Sequence, residues 1–138
     1  MHFYQTTLLL KPHKRGFHLI TNKIENLLSN YKISIGTINI FIKHTSASLS
    51  INENVDPSVR VDMENFYTDI ADAKSYYTHT YEGDDDMPAH IKSSILGQSL
   101  TIPITDNKLN LGTWQGIYFG EHRDMASPRE LVITIIGE

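Results

Sequence analysis

The chain contains no cysteine among its 138 residues. Without thiols it can form neither a disulfide nor a thiolate nucleophile, and any metal site must use histidine, aspartate or glutamate as ligands. The absence of cysteine also fits a reducing compartment, so we predict a cytoplasmic protein.

Positive charge is also scarce, with 12 lysines and arginines against 16 aspartates and glutamates, for a formal net charge of −4. A general binder of nucleic acid or anionic membrane needs the opposite balance, because its affinity comes from lysine and arginine contacts with phosphate. No run approaches the roughly 18 apolar residues of a membrane span, and the N-terminus lacks a basic segment followed by a long apolar core. We therefore predict no nucleic acid and no membrane among the partners, and an anionic substrate needs a local positive site.

The length and the 40% hydrophobic content suit one compact domain over residues 1–138. A domain of this size buries about two thirds of the surface of its unfolded chain. The patterns predict helices that begin near residues 21, 57 and 88, and strands at 2–10, 17–20, 34–44, 46–54, 99–104, 111–121 and 131–136. This order predicts an α+β fold with a largely antiparallel sheet system.

Two apolar patterns give more specific predictions. In the second helix, one buried side is predicted by residues that recur at helical spacing, namely Val59, Met63, Phe66 and Ile70. The closing segment 131–136, LVITII, is apolar on both faces. A strand of this kind is expected between layers or at a subunit contact.

The segment 79–90, HTYEGDDDMPAH, concentrates two imidazoles, a glutamate and three aspartates around one glycine. The aspartates have an ordinary explanation, because carboxylates at a helix N-terminus stabilise it by about 0.3–1 kcal/mol each. The histidines do not. His79 and His90, together with the inward-facing His44, form a set that suits a divalent metal. The candidates are zinc, manganese and nickel, with magnesium as a further candidate. The competing interpretation makes each histidine a structural residue.

Small hydroxyl side chains follow His44 in the segment HTSAS at 44–48. Thr45 and Ser46 could bind phosphate oxygens together with exposed backbone N–H groups. Such residues are also common in ordinary turns at strand ends. No G-x-S-x-G turn is present, so we interpret Ser46 as a hydrogen-bond donor in the reaction and not as a nucleophile.

The segment 111–123, LGTWQGIYFGEHR, carries a third group of candidates. Glu121 shares the inward face of the predicted strand with Gln115, and a buried carboxylate is costly unless it is paired, bound to metal or protonated. Glu121 is therefore a candidate for chemistry. Arg123 could pair with it or bind phosphate, although an exposed salt bridge is its ordinary role. Trp114 could stack on a planar heteroaromatic ring or simply pack.

Four motifs together resemble the YjbQ-like family, whose members include secondary thiamine-phosphate synthase: HTSASLSINEN, EGDDDMPAHIKSSILGQSLTIPI, LNLGTWQGIYFGEHR and LVITIIGE. The likeness spans nearly the whole chain from His44 onward. It implies a two-layer sandwich of mostly antiparallel sheets with flanking helices. It also implies a homotrimer whose active cleft lies near the subunit boundary.

The activity that the resemblance implies joins hydroxymethylpyrimidine diphosphate to thiazole phosphate and releases pyrophosphate. A metal at His44, His79 and His90 would assist it, with Glu121 and Ser46 as catalytic residues. The residues predicted to bind the small phosphorylated metabolite are Thr45, Lys92, Trp114, Gln115 and Arg123. Two alternatives use the same groups: a trimeric small-metabolite-binding or regulatory module without turnover, and a metal-dependent phosphoester hydrolase.

Overall fold

Strands alternate with helices along the chain, which the computed structural model describes over residues 1–138. The helices are α1 (Thr21–Leu28), α2 (Pro57–Ala71) and α3 (Asp86–Leu96). The strands are β1 (His2–Leu10), β2 (Gly16–Leu19), β3 (Ile35–Ile42), β4 (Ala47–Glu53), β5 (Ser99–Thr105), β6 (Lys108–Leu109), β7 (Gln115–Glu121) and β8 (Arg129–Gly137). Every strand pairing is antiparallel, so the predicted α+β class with antiparallel sheets is confirmed.

The strands form two sheets that face each other across one apolar core. The larger sheet has the order β1-β8-β3-β5-β6 and the smaller has the order β2-β7-β4. Ile40 and Ile133 from the larger sheet are fully buried against Ile117 and Phe119 from the smaller one. These residues recur at every second position, which is the period of a strand with one buried face.

The helices leave one sheet face open. α2 packs against β2 and α3 packs against β4, so both cover the outer side of the smaller sheet. Asp56 caps α2 by accepting a hydrogen bond from the Ser58 amide at 2.9 Å. On the outer side of the larger sheet, Phe3, Phe41 and Ile136 remain exposed. None of the three helices is long and apolar enough to cross a lipid bilayer.

The buried side of α2 differs from the prediction. Phe66 and Ile70 are 59% and 43% exposed, so their assignment to the buried side is wrong. The helix instead turns Ala71 and Tyr67 inward, and the Tyr67 ring lies 6.0 Å from the ring of Phe17 in β2. Val59 and Met63 are half-buried in line with the prediction, and the stripe then continues through Tyr67 and Ala71 in place of Phe66 and Ile70.

Two element boundaries also shift. α3 begins at Asp86, two residues before the predicted start at Pro88. β7 begins at Gln115 and not at residue 111, because a turn precedes it. In this turn the Gln115 amide donates to the Gly112 carbonyl at 3.0 Å, and the Gly112 amide donates to the side-chain oxygen of Gln115 at 2.8 Å.

The closing strand β8 has one covered and one open face. Leu131, Ile133 and Ile135 are buried in the core. Val132 and Ile136 lie on the other face, where Val132 is half-buried and Ile136 is exposed. Within a single chain the second apolar face of this strand therefore remains partly uncovered.

Candidate functional site

Two of the three predicted imidazoles meet one buried carboxylate at the start of α3. The Nε2 atom of His79 lies 2.7 Å from Asp86 Oδ2, and the Nε2 atom of His90 lies 3.2 Å from the same oxygen. These three residues offer ligand atoms that all lie within 4.8 Å of one another. Two imidazole nitrogens and one carboxylate oxygen form a donor set that divalent transition metals accept. We refer to His79, Asp86 and His90 as the histidine–aspartate cluster.

The helix brings Asp86 and His90 together. They stand four residues apart in α3, so one helical turn places both on the same side. His79 reaches them from the loop that precedes the helix. In the sequence Asp86 is one of three consecutive aspartates, and composition alone does not single it out. The spacing of an aspartate and a histidine by four residues in a helix was the signal that could have done so.

The proton on His90 is fixed at one ring nitrogen. Its Nδ1 atom lies 2.8 Å from the Thr45 carbonyl oxygen, which can only accept, so Nδ1 carries a proton. In the neutral ring, Nε2 then presents a lone pair to Asp86 Oδ2 at 3.2 Å. Two acceptors repel at this distance, so either a second proton on His90 or a cation must lie between them. Metal-binding histidines commonly donate their other ring N–H to a backbone carbonyl in this way.

Arg123 holds the acidic segment from the other side. Its Nη1 atom donates to Asp86 Oδ1 at 2.7 Å, and its Nε atom donates to Asp85 Oδ2 at 2.9 Å. Its Nη2 atom donates to the Glu82 carbonyl at 2.7 Å. The guanidinium that sequence reasoning assigned to substrate phosphate is therefore engaged with the protein's own acidic loop.

Asp86 is ionised at neutral pH. Its burial disfavours the charged form, but the hydrogen bond from His79 and the electrostatic effects of His90 and Arg123 outweigh that effect and lower the pKa of Asp86 below its ordinary value. The side chain is only 3% exposed. The cluster thus combines a buried carboxylate charge with two histidines that are partly exposed.

Two cavities lie on either side of the histidine–aspartate cluster. His90 lines the first, of about 570 Å³, together with His44 and Thr45. His79 lines the second, of about 360 Å³, whose wall contains four carboxylates, Asp72, Asp84, Asp85 and Asp124. We call them the His44 cavity and the acidic cavity. No carboxylate lines the His44 cavity, whereas the four carboxylates of the acidic cavity outnumber its two basic side chains, Arg15 and Lys74.

The structure places His44 outside the cluster. Its Nε2 atom accepts a hydrogen bond from the Glu130 amide at 2.9 Å, so the lone pair of that nitrogen is already used. Burial and the nearby charge of Arg129 lower the pKa of His44, which keeps the ring neutral. In the position where a third imidazole was predicted, the structure has the carboxylate of Asp86.

Glu121 forms a closed ion pair. It is fully buried, and Arg129 donates to Oε1 from Nε at 2.8 Å and to Oε2 from Nη2 at 2.5 Å. The Arg123 amide also donates to Oε2 at 3.2 Å. The partner that the burial of Glu121 demanded is thus Arg129 and not the side chain of Arg123. Sequence offered no signal for this pair, because the two residues belong to strands of different sheets.

Ser46 and Lys92 also point to the interior. Ser46 is 8% exposed, and its carbonyl accepts from Arg129 Nη2 at 3.2 Å. Lys92 is fully buried, with its Nζ atom 2.9 Å from Asp72 Oδ1. Neither residue lines the His44 cavity or the acidic cavity.

Trp114 and Gln115 lie at the far end of the smaller sheet. Six residue steps of about 3.3 Å separate Gln115 from Glu121, which places the two ends of β7 about 20 Å apart. A cavity of about 850 Å³ opens there between α1 and the turn before β7. Trp114, on its wall, is 63% exposed. Within one chain the structure brings Thr45 and Arg123 to the histidine–aspartate cluster, but not Trp114 or Gln115.

Known proteins resemble this chain along its full length. The family described as UPF0047 protein YjbQ-like matches residues 5–138. A UPF0047 protein YjbQ from Salmonella typhimurium is 49% identical over 137 residues, covering 99% of each chain. A UPF0047 protein from Methanocaldococcus jannaschii is 45% identical over 119 residues, covering 86% of this chain and 83% of the relative.

Solved structures share the fold. An uncharacterized conserved protein of the YjbQ/UPF0047 family from Clostridium acetobutylicum superimposes with a TM-score of 0.85 at 37% identity, covering 95% of this chain and 99% of that one. A YbjQ-like protein of unknown function from Sulfolobus solfataricus gives a TM-score of 0.89 at 24% identity, with 99% of each chain covered. The second likeness shows the fold alone.

Proposed function

The chain belongs to the YjbQ-like UPF0047 family, and we propose that it is a metal-assisted transferase of the secondary thiamine-phosphate synthase type. In this reaction hydroxymethylpyrimidine diphosphate is joined to thiazole phosphate and pyrophosphate is released. The observation that carries the proposal is the opposition of His90 Nε2 and Asp86 Oδ2 at 3.2 Å, which a cation between them would resolve.

The donor set supports a divalent metal in that position. His79 and His90 would bind it through Nε2 and Asp86 through Oδ2. Two imidazoles favour zinc, manganese or nickel, whereas magnesium prefers oxygen ligands. The surrounding charge is suitable, because Arg123 faces the carboxylates of both Asp85 and Asp86 and leaves an excess of negative charge.

The chemistry divides between the ion and the chain. When bound, a divalent ion would neutralise the leaving pyrophosphate and so favour cleavage of the C–O bond to the pyrimidine methylene carbon. The pyrophosphate leaves with the electron pair of that bond, and the thiazole nitrogen uses its lone pair to form the new C–N bond. No proton is transferred in this exchange, so the chain contributes mainly by holding the two reactants in contact.

Residues around the cluster supply that positioning. The Thr45 carbonyl orients the ring of His90, and Arg123 fixes the unused oxygen of Asp86. In this proposal Glu121 acts through Arg129, which also holds the carbonyl of Ser46 at the edge of the site. Glu121 and Ser46 would then position the reactants' binding site and not touch them.

Trp114 and Gln115 can join the same site only from a second copy of the chain. Within one copy they lie at the opposite end of β7, about 20 Å from the cluster end. A homotrimer with its cleft between subunits would supply them in trans. The open face of the larger sheet, with Phe3, Phe41 and Ile136 exposed, supports assembly because association would bury these apolar side chains. Light scattering that gives a monomer mass at micromolar concentration would remove this part of the proposal.

The test combines metal analysis with product analysis. Protein stripped of metal and reloaded in turn with zinc, manganese, nickel or magnesium is supplied with both substrates. Thiamine phosphate and pyrophosphate should appear in equal amounts, and Asp86→Asn should lower both metal retention and product formation. Asp84→Asn is the matched control, since it removes the same charge from an exposed neighbour outside the cluster. No thiamine phosphate with any of the four metals would overturn the proposal.

The exposure of His79 favours a second candidate function. Its side chain is 46% exposed on the acidic cavity, so water can reach the cluster. Phosphoester hydrolysis, with water in place of thiazole as the attacking group, would then use the same residues. Release of inorganic phosphate from phosphate monoesters, without thiamine phosphate, would identify the hydrolase. Tight binding of a phosphorylated metabolite with no product would identify a binding module.

A further inference from the structure

His44 has a defined tautomer. A backbone amide can only donate, so the 2.9 Å hydrogen bond from the Glu130 amide requires a lone pair on His44 Nε2. The neutral ring therefore carries its proton on Nδ1. That nitrogen makes no hydrogen bond within the protein and is not among the buried atoms without partners. His44 thus presents a free, accessible N–H group.

The cavity beside this N–H group suits an anion. His44 and His90 both line it, together with the side chains of Thr45, Ser94 and Lys43, and no aspartate or glutamate contributes to its wall. Lys43 lies 3.5 Å from Glu130 Oε1 at the rim, so part of its charge is offset. The Nδ1–H of His44 and the hydroxyl groups of Thr45 and Ser94 can donate to oxygen, whereas the acidic cavity on the other side of the cluster has four carboxylates against the charges of Arg15 and Lys74.

We propose that His44 binds a phosphate-group oxygen through its Nδ1–H while the Glu130 amide anchors its Nε2, so that His44 recognises the diphosphate of the substrate and does not ligate the metal. The inference rests on the proposed function for the identity of that anion as a diphosphate. The placement is consistent with leaving-group departure, because His90 lines the same cavity and also belongs to the histidine–aspartate cluster.

His44 cannot serve the anion and a metal at once. Binding an ion through Nε2 would displace the Glu130 amide, and binding through Nδ1 would require loss of the only ring proton. Orientation by a backbone amide instead holds the donor in place before the anion arrives. A donor oriented in advance loses less entropy on binding than a free surface side chain.

The test is calorimetric titration of inorganic pyrophosphate into full-length protein, both stripped of metal and loaded with zinc. His44→Gln can keep an acceptor for the Glu130 amide but has no donor at the Nδ1 position, whereas His44→Asn places an amide N–H near that position. Hydrogen bonds to charged groups predict a loss of pyrophosphate affinity of about 10- to 100-fold for His44→Gln. His44→Asn should lose less than the glutamine variant.

Three controls make the result decisive. His2→Gln makes the same change at an exposed position and should leave affinity unchanged. Zinc content of both His44 variants should equal that of the wild type, and the ring ¹⁵N shifts of His44 should report the Nδ1–H tautomer. Wild-type pyrophosphate affinity in a folded His44→Gln variant would overturn the inference, and so would loss of zinc from it. Failure of the synthase assay alone would remove the proposed function but leave the pyrophosphate result standing.

Discussion

Asp86 and Glu121 are both buried carboxylates, but they differ in how many of their oxygens are already paired with an arginine. Each pairs with an arginine, Asp86 with Arg123 and Glu121 with Arg129. Arg129 occupies both oxygens of Glu121 and seals it from solvent. Arg123 occupies one oxygen of Asp86 and leaves the other facing two imidazoles.

The difference shows what identifies a reactive carboxylate. Burial alone marked Glu121 as a candidate for chemistry, because an unpaired buried charge is costly. In the structure that cost is met internally, and nothing remains on Glu121 to bind a ligand. Asp86 retains an oxygen that faces His79 and His90, each of which lines a cavity. To identify a reactive carboxylate, it is therefore more informative to ask which of its oxygens are free to bind a ligand than to ask whether it is buried.

The largest expected effect is on the free energy of unfolding and comes from breaking the ion pair between Arg129 and Glu121. Arg129→Met leaves Glu121 as an uncompensated buried charge, and removal of one partner of such a pair typically costs about 3–5 kcal/mol of unfolding free energy. Urea denaturation measures this loss. The double variant Arg129→Met with Glu121→Gln should recover much of it, since the orphaned charge is gone. Equal stability of the single and double variants would contradict the idea that the pair is closed.

Substitution of Asp86 should change the metal affinity more than it changes the free energy of unfolding. Asp86→Asn is expected to lower metal affinity by about 10- to 100-fold or more, because loss of even an outer partner of a ligand has that effect. Competition with a chromogenic chelator measures the affinity. The Arg129→Met variant, measured under conditions in which it is folded, is the control and should keep the metal affinity of the wild type. Unchanged metal binding in Asp86→Asn would assign the cluster to structure.

Lowering the pH should reveal the contribution of Asp86 to the free energy of unfolding. The pKa of Asp86 is lowered in the folded protein, so its contribution to stability is present above the unfolded pKa of about 3.9 and is lost as pH falls through the folded pKa. Wild-type protein should therefore lose stability below about pH 4. In Asp86→Asn that part of the acid dependence should be missing, as thermal unfolding between pH 2 and pH 6 can show. Parallel curves for the two proteins would contradict the assignment.

The smallest effect is expected at the far end of β7. Trp114 is 63% exposed, so Trp114→Ala should change the unfolding free energy by no more than about 0.5 kcal/mol. Metal affinity should also match the wild type, since the cluster lies about 20 Å away in the same chain. A loss of synthase turnover with metal binding intact would indicate that a neighbouring copy supplies this indole. Loss of metal from the variant would contradict the separation of the two sites.

Local patterns predicted more of this molecule than long-range pairings did. Alternation placed Glu121 on a buried face of β7, because a strand fixes which residues share a face, but Gln115 on that face is exposed and the opposite face of β7 is buried as well. The pattern of 131–136 did not distinguish the two faces of β8, of which the structure buries one. The convergence of His79 and His90 also follows from short separation along the chain. Arg129 could not be assigned to Glu121, because the contact joins two sheets whose stacking the sequence does not specify.

Hydrogen-bond direction was equally out of reach from sequence. His44 was predicted as an inward imidazole, and the structure places it half-buried at the end of β3. What decides its chemistry is the Glu130 amide on the neighbouring strand, which selects the tautomer. The second half of the buried face of α2, at Phe66 and Ile70, was predicted wrongly for a related reason. Its apolar residues allow two stripes, and only contact with β2 chooses between them.

The position of β8 between β1 and β3 has a consequence for biosynthesis. This strand follows the other seven in the chain, yet it pairs with β1 on one side and β3 on the other. While the ribosome is still adding residues before 129, β1 has no neighbour and β3 has only β5. The larger sheet can therefore close only after β8 leaves the exit tunnel, and until then the apolar faces of β1 and β3 lack the strand that joins them and are prone to aggregation.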